Sequence, residues 1–383
     1  MRRPGMNGRI SGGLVALLIL TACSSENGGE KTPVDVPSPG RTFDSAWEQV
    51  APDAVGLDAA ELERLAAVAE RGQSTCLVVV RDGKLAGEWY FQGTDQDTGR
   101  NVYSVTKSVA STLVGIAQDD GDLRIGDRAS KWITEWKGTP SEAVTVRDLL
   151  SNDSGREWST DTDYRRLLGA RDRTAFAIGL KQARPPGEVW AYNNSAVQTL
   201  QRILQKATGQ DVAAFARQRL FEPLGMSRST LTTDRAGNAQ LFMGMQSTCR
   251  DMARFGLLML NNGRWDGRQI VSADWVKEAT GRSSTKLNAA YGHLWWLNRR
   301  GPLGEPLAAT GRSGAGRVTK TGRLVPGGPD RMYWALGFGN QLIQVDPGSG
   351  TVVVRVGPGR LPRPPTFGPA EASKITEAVK EKE

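Results

Sequence analysis

A single histidine, His293, occurs in 383 residues. A His-based serine hydrolase therefore has one candidate base. It lies in Tyr291-Gly292-His293-Leu294-Trp295-Trp296, where it reads as a packing residue on a strand. No cluster of His, Cys and carboxylates stands at ligand spacing, so no metal and no other cofactor is expected. Cysteine is scarce too: Cys23, Cys76 and Cys249. The apolar stretch Leu14 to Leu20 is too short to span a membrane as a mature helix. Charge of one sign is in small excess. The formal charge is +8, or +5 without Arg2, Arg3 and Arg9, and it is not gathered into runs. No nucleic-acid partner is expected from it. There is no internal repeat.

What is present begins with a targeting segment. Arg2, Arg3 and Arg9 give a positive start, Leu14 to Leu20 an apolar core, and Leu20-Thr21-Ala22-Cys23 closes it. Small residues before a Cys, directly after an apolar core, resemble a bacterial lipobox. That resemblance implies a signal peptide over residues 1–22 and a diacylglyceryl group on Cys23. The chain would then be exported and held in the cell envelope by a lipid anchor in the membrane. An ordinary secretory signal is the alternative. Residues 23–44 are polar and rich in Pro, Gly and Ser, and read as a disordered tether. In an exported chain Cys76 and Cys249 either form one disulfide or remain two buried thiols.

About 340 residues remain, more than one core usually holds, so two lobes are expected. Asp58 caps a helical pattern running to Glu70, with Leu62, Leu65, Ala66 and Ala69 on one face. Cys76 to Val80, an Asp82-Gly83 turn, and Leu85 to Phe91 read as strand, turn, strand. Val102 to Gln118 carries a helical stripe of Val105, Val109, Leu113, Ile116 and Ala117. Further helices are expected over Thr145–Asn152, Ala196–Thr208, Asp211–Leu220 and Thr248–Leu260. The remainder reads mostly as strands. Arg331 to Asp346, a Pro347-Gly350 turn and Thr351 to Val356 read as a β-hairpin, and Ala370 to Lys382 as a closing helix. The order describes an α/β (α+β) chain. Residues 45–100 and 247–383 would form a discontinuous lobe with an antiparallel sheet flanked by helices, and 101–246 a mainly helical lobe.

Ser104-Val105-Thr106-Lys107 offers a serine nucleophile that needs no histidine. A serine hydroxyl is weak until a neighbouring base takes its proton, and a Ser-Lys pair is a known alternative to Ser-His. Positions i and i+3 share a helix face. Ser104 also falls at a helix start, where free N–H groups favour negative charge. Ser283-Ser284-Thr285-Lys286 repeats the spacing, but it sits in a polar stretch without an apolar stripe and reads as a surface loop. Pro185-Pro186-Gly187 is a turn that delivers Tyr192-Asn193-Asn194, whose Tyr can complete a proton relay.

With these motifs in this order, the chain resembles the serine β-lactamase and penicillin-binding-protein superfamily. It is most similar to the class C-related branch that includes esterases, D-aminopeptidases and 6-aminohexanoate-dimer hydrolases. Leu149-Leu150-Ser151-Asn152-Asp153-Ser154-Gly155, Pro223-Leu224-Gly225-Met226 and Arg250-Asp251-Met252-Ala253-Arg254-Phe255-Gly256 carry the likeness further. The resemblance implies roles. Ser104 would be acylated, Lys107 would accept its proton, and Tyr192 would pass a proton to the leaving group. Asn194 would hydrogen-bond Lys107 and the substrate. Apart from the resemblance, Trp158 and Tyr164 lie between the first two motifs and read first as ordinary core or surface aromatics, with the substrate pocket as their alternative place.

The superfamily's third element is a strand carrying Lys-Thr-Gly. Lys320-Thr321-Gly322 matches the letters, but the adjoining stretch from Arg323 to Asp330 is polar and rich in Gly and Pro. The hairpin expected to carry the element reads Ala335-Leu336-Gly337-Phe338-Gly339-Asn340-Gln341, which resembles the Gly-x-x-Gly-Gln segment of the aminohexanoate branch. The Phe338 N–H would join the Ser104 N–H as an oxyanion hole, and Gly337, Gly339 and Asn340 would border the substrate. Without the Lys that grips a carboxylate, esters or uncharged amides are the implied small-molecule partners. A β-lactamase, a D-alanyl-D-alanine carboxypeptidase or a non-catalytic envelope binding protein are the alternatives.

Overall fold

The computed structural model describes residues 47–304, 318–360 and 366–379. The expected signal peptide, Cys23 and the tether lie outside the described residues. Asp58 accepts a hydrogen bond from the Glu61 N–H and starts α1 (Ala59–Arg71). Strands β1 (Cys76–Arg81) and β2 (Lys84–Tyr90) join through Asp82 and Gly83. Both turn residues are left-handed, at φ 50° and 81°, which matches the twist of a two-residue hairpin. Then come α2 (Val105–Asp119), α3 (Val146–Ser151), α4 (Asn194–Gln198), α5 (Leu200–Thr208), α6 (Cys249–Leu260) and α7 (Ala273–Thr280), with further short helices between α3 and α4 and between α5 and α6. Strands β3 (Trp296–Leu297), β4 (Gly301–Gly304), β5 (Val318–Gly322), β6 (Tyr333–Gly337), β7 (Gln341–Asp346) and β8 (Thr351–Val356) precede α8 (Pro369–Glu377).

The central sheet runs β2-β1-β8-β7-β6-β3, each neighbouring pair antiparallel. Successive side chains on a strand point to opposite faces, and here both faces are covered. Leu77, Val79, Leu342 and Val353 pack with Leu62, Leu65 and Ile375 of α1 and α8. Val78, Val80, Ile343, Val345, Val352 and Val354 join the larger core with Val109 and Leu113 of α2 and Phe255 of α6. This two-sided burial explains why β1, β7 and β8 are buried along their whole length. Burying each such Val or Leu contributes about 1.5–3 kcal/mol. A disulfide between Cys76 and Cys249 ties β1 to α6, two points 173 residues apart in sequence.

Several elements depart from the sequence reading. Beyond Leu260 the chain is not mostly strand: Ser272 caps α7 by accepting from the Trp275 N–H, and Trp275, Val276 and Ala279 are buried at helical spacing. The stretch Arg331–Asp346 is two strands, because Gly339 and Asn340 adopt φ 80° and 61° and fold the chain back. Lys320-Thr321-Gly322 does lie on a strand, β5, but β5 pairs with β4 in a separate two-stranded sheet. His293 sits in a bend before β3, not on a strand, with its ring stacked on Trp275. The pattern Ala196–Thr208 breaks at Thr199, whose hydroxyl donates to the Ala196 carbonyl.

Candidate active site

Ser104 is the residue at the head of α2, one position earlier than the first helical residue. The turn before it is tight. Tyr103 holds φ 49°, a region a non-Gly residue enters at a cost of about 1–3 kcal/mol. Two local hydrogen bonds keep it there: the Tyr103 N–H donates to Asn101 Oδ1, and Thr106 Oγ1 donates to the Tyr103 carbonyl, both at 2.6 Å. A serine at this position usually spends its oxygen capping the helix. Ser104 makes no such bond. Lys107 Nζ donates to Ser104 Oγ instead, at 2.9 Å.

Lys107 is 1% exposed. Its second hydrogen bond goes to the Phe242 carbonyl at 2.8 Å, and its Nζ stands 4.7 Å from the Tyr192 ring centre. Burial pulls the Lys107 ammonium down to about 7, a drop only partly opposed by the Asp163 carboxylate. Removing a cation from water favours its neutral form. Tyr192 moves the other way: burial pushes its phenol well above the ordinary range, against the contact with Ser104. Near neutral pH the site thus holds a lysine able to accept a proton and a tyrosine that keeps its own.

Tyr192 is braced from several sides. Its ring packs against Trp190, Tyr291 and Trp296, with centroids 5.7–6.4 Å away. Its carbonyl accepts from Trp158 Nε1 at 2.9 Å. Trp158 is therefore a buried support for the Tyr192 segment, not an open pocket wall. Asn152, at the left-handed end of α3, takes the Ala191 N–H on its carbonyl and the Asn193 N–H on its side chain, and donates to the Tyr291 hydroxyl. Asn193 caps α4 by accepting from the Ala196 N–H. Asn194 does not make the expected bond to Lys107. The ammonium donates to Ser104 Oγ and the Phe242 carbonyl, and Asn194 Oδ1 is buried without a partner.

On the far side, the end of β6 passes against the Ser104 turn. A Cβ on Gly337 would lie 2.4 Å from the Val102 carbonyl and 3.2 Å from the Ser104 nitrogen, so only glycine fits. The β6–β7 turn is held from behind. Gln341 Nε2 donates to the Phe338 and Gly357 carbonyls. The buried Arg355 guanidinium donates to the Gly339, Asn340 and Gly72 carbonyls and to Ser74 Oγ. Phe338 is left 46% exposed, edge-on to Tyr103, and Tyr164 is 40% exposed beside Asn194. These are the exposed large apolar side chains among the described residues, and both flank Ser104 and Tyr192.

Three groups escaped the sequence reading: Asp163, Gln341 as a clamp, and Arg355. Asp163 is fully buried and hydrogen-bonds the start of α4. Nothing in the local pattern around it marks a buried carboxylate. Ser283 to Lys286, the second match to the spacing, is loop: Ser283 and Ser284 donate to the Ala289 and Gly292 carbonyls.

An antiparallel sheet covered by helices on both faces, with a helix-start serine beside it, is the architecture of a serine-hydrolase superfamily. Within it the chain belongs to the beta-lactamase family, whose model matches residues 59–364. It is 26% identical over 271 residues to the 6-aminohexanoate-dimer hydrolase of Paenarthrobacter ureafaciens, covering 62% of this chain and 69% of that protein. It is 26% identical over 218 residues to Esterase EstB of Burkholderia gladioli, covering 46% of this chain and 53% of the esterase. In structure it is similar to a family VIII carboxylesterase, with a TM-score of 0.60, 15% identity, and coverage of 85% of this chain and 98% of that one. The family is hydrolase-like, with esterases and amidases among its members.

Proposed function

We propose that the protein is a serine hydrolase that cleaves uncharged esters or amides through an acyl-enzyme. The observation that carries the reading is the 2.9 Å bond from Lys107 Nζ to Ser104 Oγ, with a buried lysine drawn to about 7. Lys107 takes the serine proton as Oγ attacks the acyl carbon. The Ser104 and Phe338 N–H groups hold the oxyanion, each such donor contributing about 3 kcal/mol to the transition state. The tetrahedral adduct collapses, the bond to the alcohol or amine breaks, and that group leaves with the Tyr192 proton. Lys107 returns a proton to Tyr192. Water then attacks the acyl-enzyme by the reverse sequence and releases the acid.

An apolar or neutral substrate is supported by two features. The position beside Ser104 is occupied by Ala335-Leu336-Gly337, which offers no cation, and Phe338 and Tyr164 give the site an apolar rim. The test is mass spectrometry of the protein mixed briefly with p-nitrophenyl butyrate. An added butyryl group on the Ser104 peptide, absent in Ser104→Ala together with all turnover, is the expected result. Turnover that survives Ser104→Ala rules the reading out.

The reading extends to place. A disulfide suits an oxidising compartment, and Leu20-Thr21-Ala22-Cys23 supports lipidation at Cys23 on the envelope. Labelled palmitate should enter the protein in bacterial cells and should not enter Cys23→Ala. Equal labelling of the two would leave the anchor without support.

A further inference from the structure

Asp163 stands behind the site with no exposed surface. It lies in the Thr162–Arg166 turn, which is wound as a short π-helix. Oδ2 accepts from the Asn194 N–H at 2.5 Å, and Oδ1 accepts from the Ser195 N–H at 3.2 Å and the Ser195 hydroxyl at 2.6 Å. These donors directly follow Tyr192 and Asn193 in the chain. The carboxylate therefore grips the chain just after the tyrosine.

The charges on the same turn are directed elsewhere. Arg165 pairs with Asp161, and Arg166 faces Glu157 at 3.8 Å. The groups around Lys107 are Ser104 on its own helix, the Phe242 carbonyl and ring, the Tyr192 phenol, and Asp163. Tyr164 adjoins Asp163, and Tyr291 adjoins Tyr192, both as neutral phenols raised by burial. Asp163 is thus the anionic group that acts on Lys107, and its own carboxyl is held up to about 6 by burial.

We propose that Asp163 is the positioning residue of this site: it holds the chain directly after Tyr192 and Asn193 through the Asn194 and Ser195 N–H groups and supplies the negative charge that governs how readily Lys107 takes the serine proton. This rests on Ser104 and Lys107 being nucleophile and base. An anion nearby favours the ammonium form of a lysine. Asp163 therefore opposes the desolvation of Lys107 and keeps the base from losing its proton at too low a pH.

The experiment is the pH profile of kcat/KM for p-nitrophenyl butyrate between pH 5 and 9, on the full chain and on Asp163→Asn, Asp163→Glu and Ser195→Ala. In the wild type the rate should rise with pH through about 7, as Lys107 becomes neutral. Asp163→Asn should move that midpoint down by about one pH unit or more, because the charge that holds the proton is gone. Asp163→Glu should keep the wild-type midpoint even where its rate is lower. Ser195→Ala removes one hydrogen bond from the carboxylate and should shift the midpoint the same way by less. If Asp163→Asn does not fold, as judged by circular dichroism, the Ser195→Ala profile decides.

A rate that falls equally at every pH, with the midpoint unmoved, overturns the proposal and leaves Asp163 a structural residue only. A wild type with no turnover above Ser104→Ala is a different failure: it removes the nucleophile reading on which the proposal stands.

Discussion

Methionine in place of Lys107 lowers kcat/KM for p-nitrophenyl butyrate by about 10³–10⁴-fold and raises the melting temperature. The two effects have one cause. Lys107 lies almost wholly out of water between Phe242 and Tyr192, and its ammonium falls from the ordinary 10.5 to about 7. The unfolded chain binds a proton that the folded chain releases between those two values. Stability from this residue therefore rises with pH across that window and is lowest below it. The deficit below pH 7 is about 5 kcal/mol from the shift alone. Methionine has the same reach, no charge and good helix propensity. It leaves the Phe242 carbonyl without its donor, which offsets about 1–3 kcal/mol of the gain. The gain should be largest below pH 7 and fade toward pH 10. Thermal melts at pH 6, 8 and 10 check it, and a gain that does not shrink with pH would contradict the buried-lysine argument.

Phenylalanine in place of Tyr192 should lower kcat by about 10²–10³-fold on an amide such as butyryl-p-nitroanilide. The ring stays, so its packing with Trp190, Tyr291 and Trp296 stays. Only the hydroxyl is lost. An anilide nitrogen must gain a proton to leave, whereas p-nitrophenolate leaves without one. In the acylation step the ester should therefore lose far less than the anilide, while deacylation of the shared butyryl-enzyme slows equally for both. Stopped-flow acylation rates on the two substrates read the difference directly. Equal losses on both would remove Tyr192 from the leaving-group step and return it to a packing role.

How far the site was legible can be judged residue by residue. Ser104 and Lys107 were readable because i and i+3 always share a helix face, whatever surrounds the helix. The turn at Asp82-Gly83 was readable because two left-handed residues in a hairpin demand that chemistry. Tyr192 was readable from its order in the motif set, but not its supports: Trp158 and Asn152 come from segments more than thirty residues away. The helix α7 reads as strand in sequence although its Ser272 cap is in plain view, because eight residues hold barely two turns of helical periodicity. Asp163 and Arg355 had no local signal at all. A buried charge is recognised by its surroundings, and those are assembled from distant parts of the chain.

By itself the sequence determined the family, the order of its elements and the Ser-Lys spacing at the head of a helix, since each depends on neighbours within a few residues or on motif order. The sequence reading already prefers the Ala335–Gln341 hairpin to the literal Lys320-Thr321-Gly322, and tertiary structure decided how closely each approaches the serine. The literal match pairs with Gly301–Gly304 in a small separate sheet, while Gly337 runs against the Ser104 nitrogen. It also decided that Lys107 is dry, that the Asp163 carboxylate is near enough to act on its charge, and that Arg355 locks the β6–β7 turn. Burial and Coulomb interaction depend on distance in space, and no local pattern encodes which distant groups will converge.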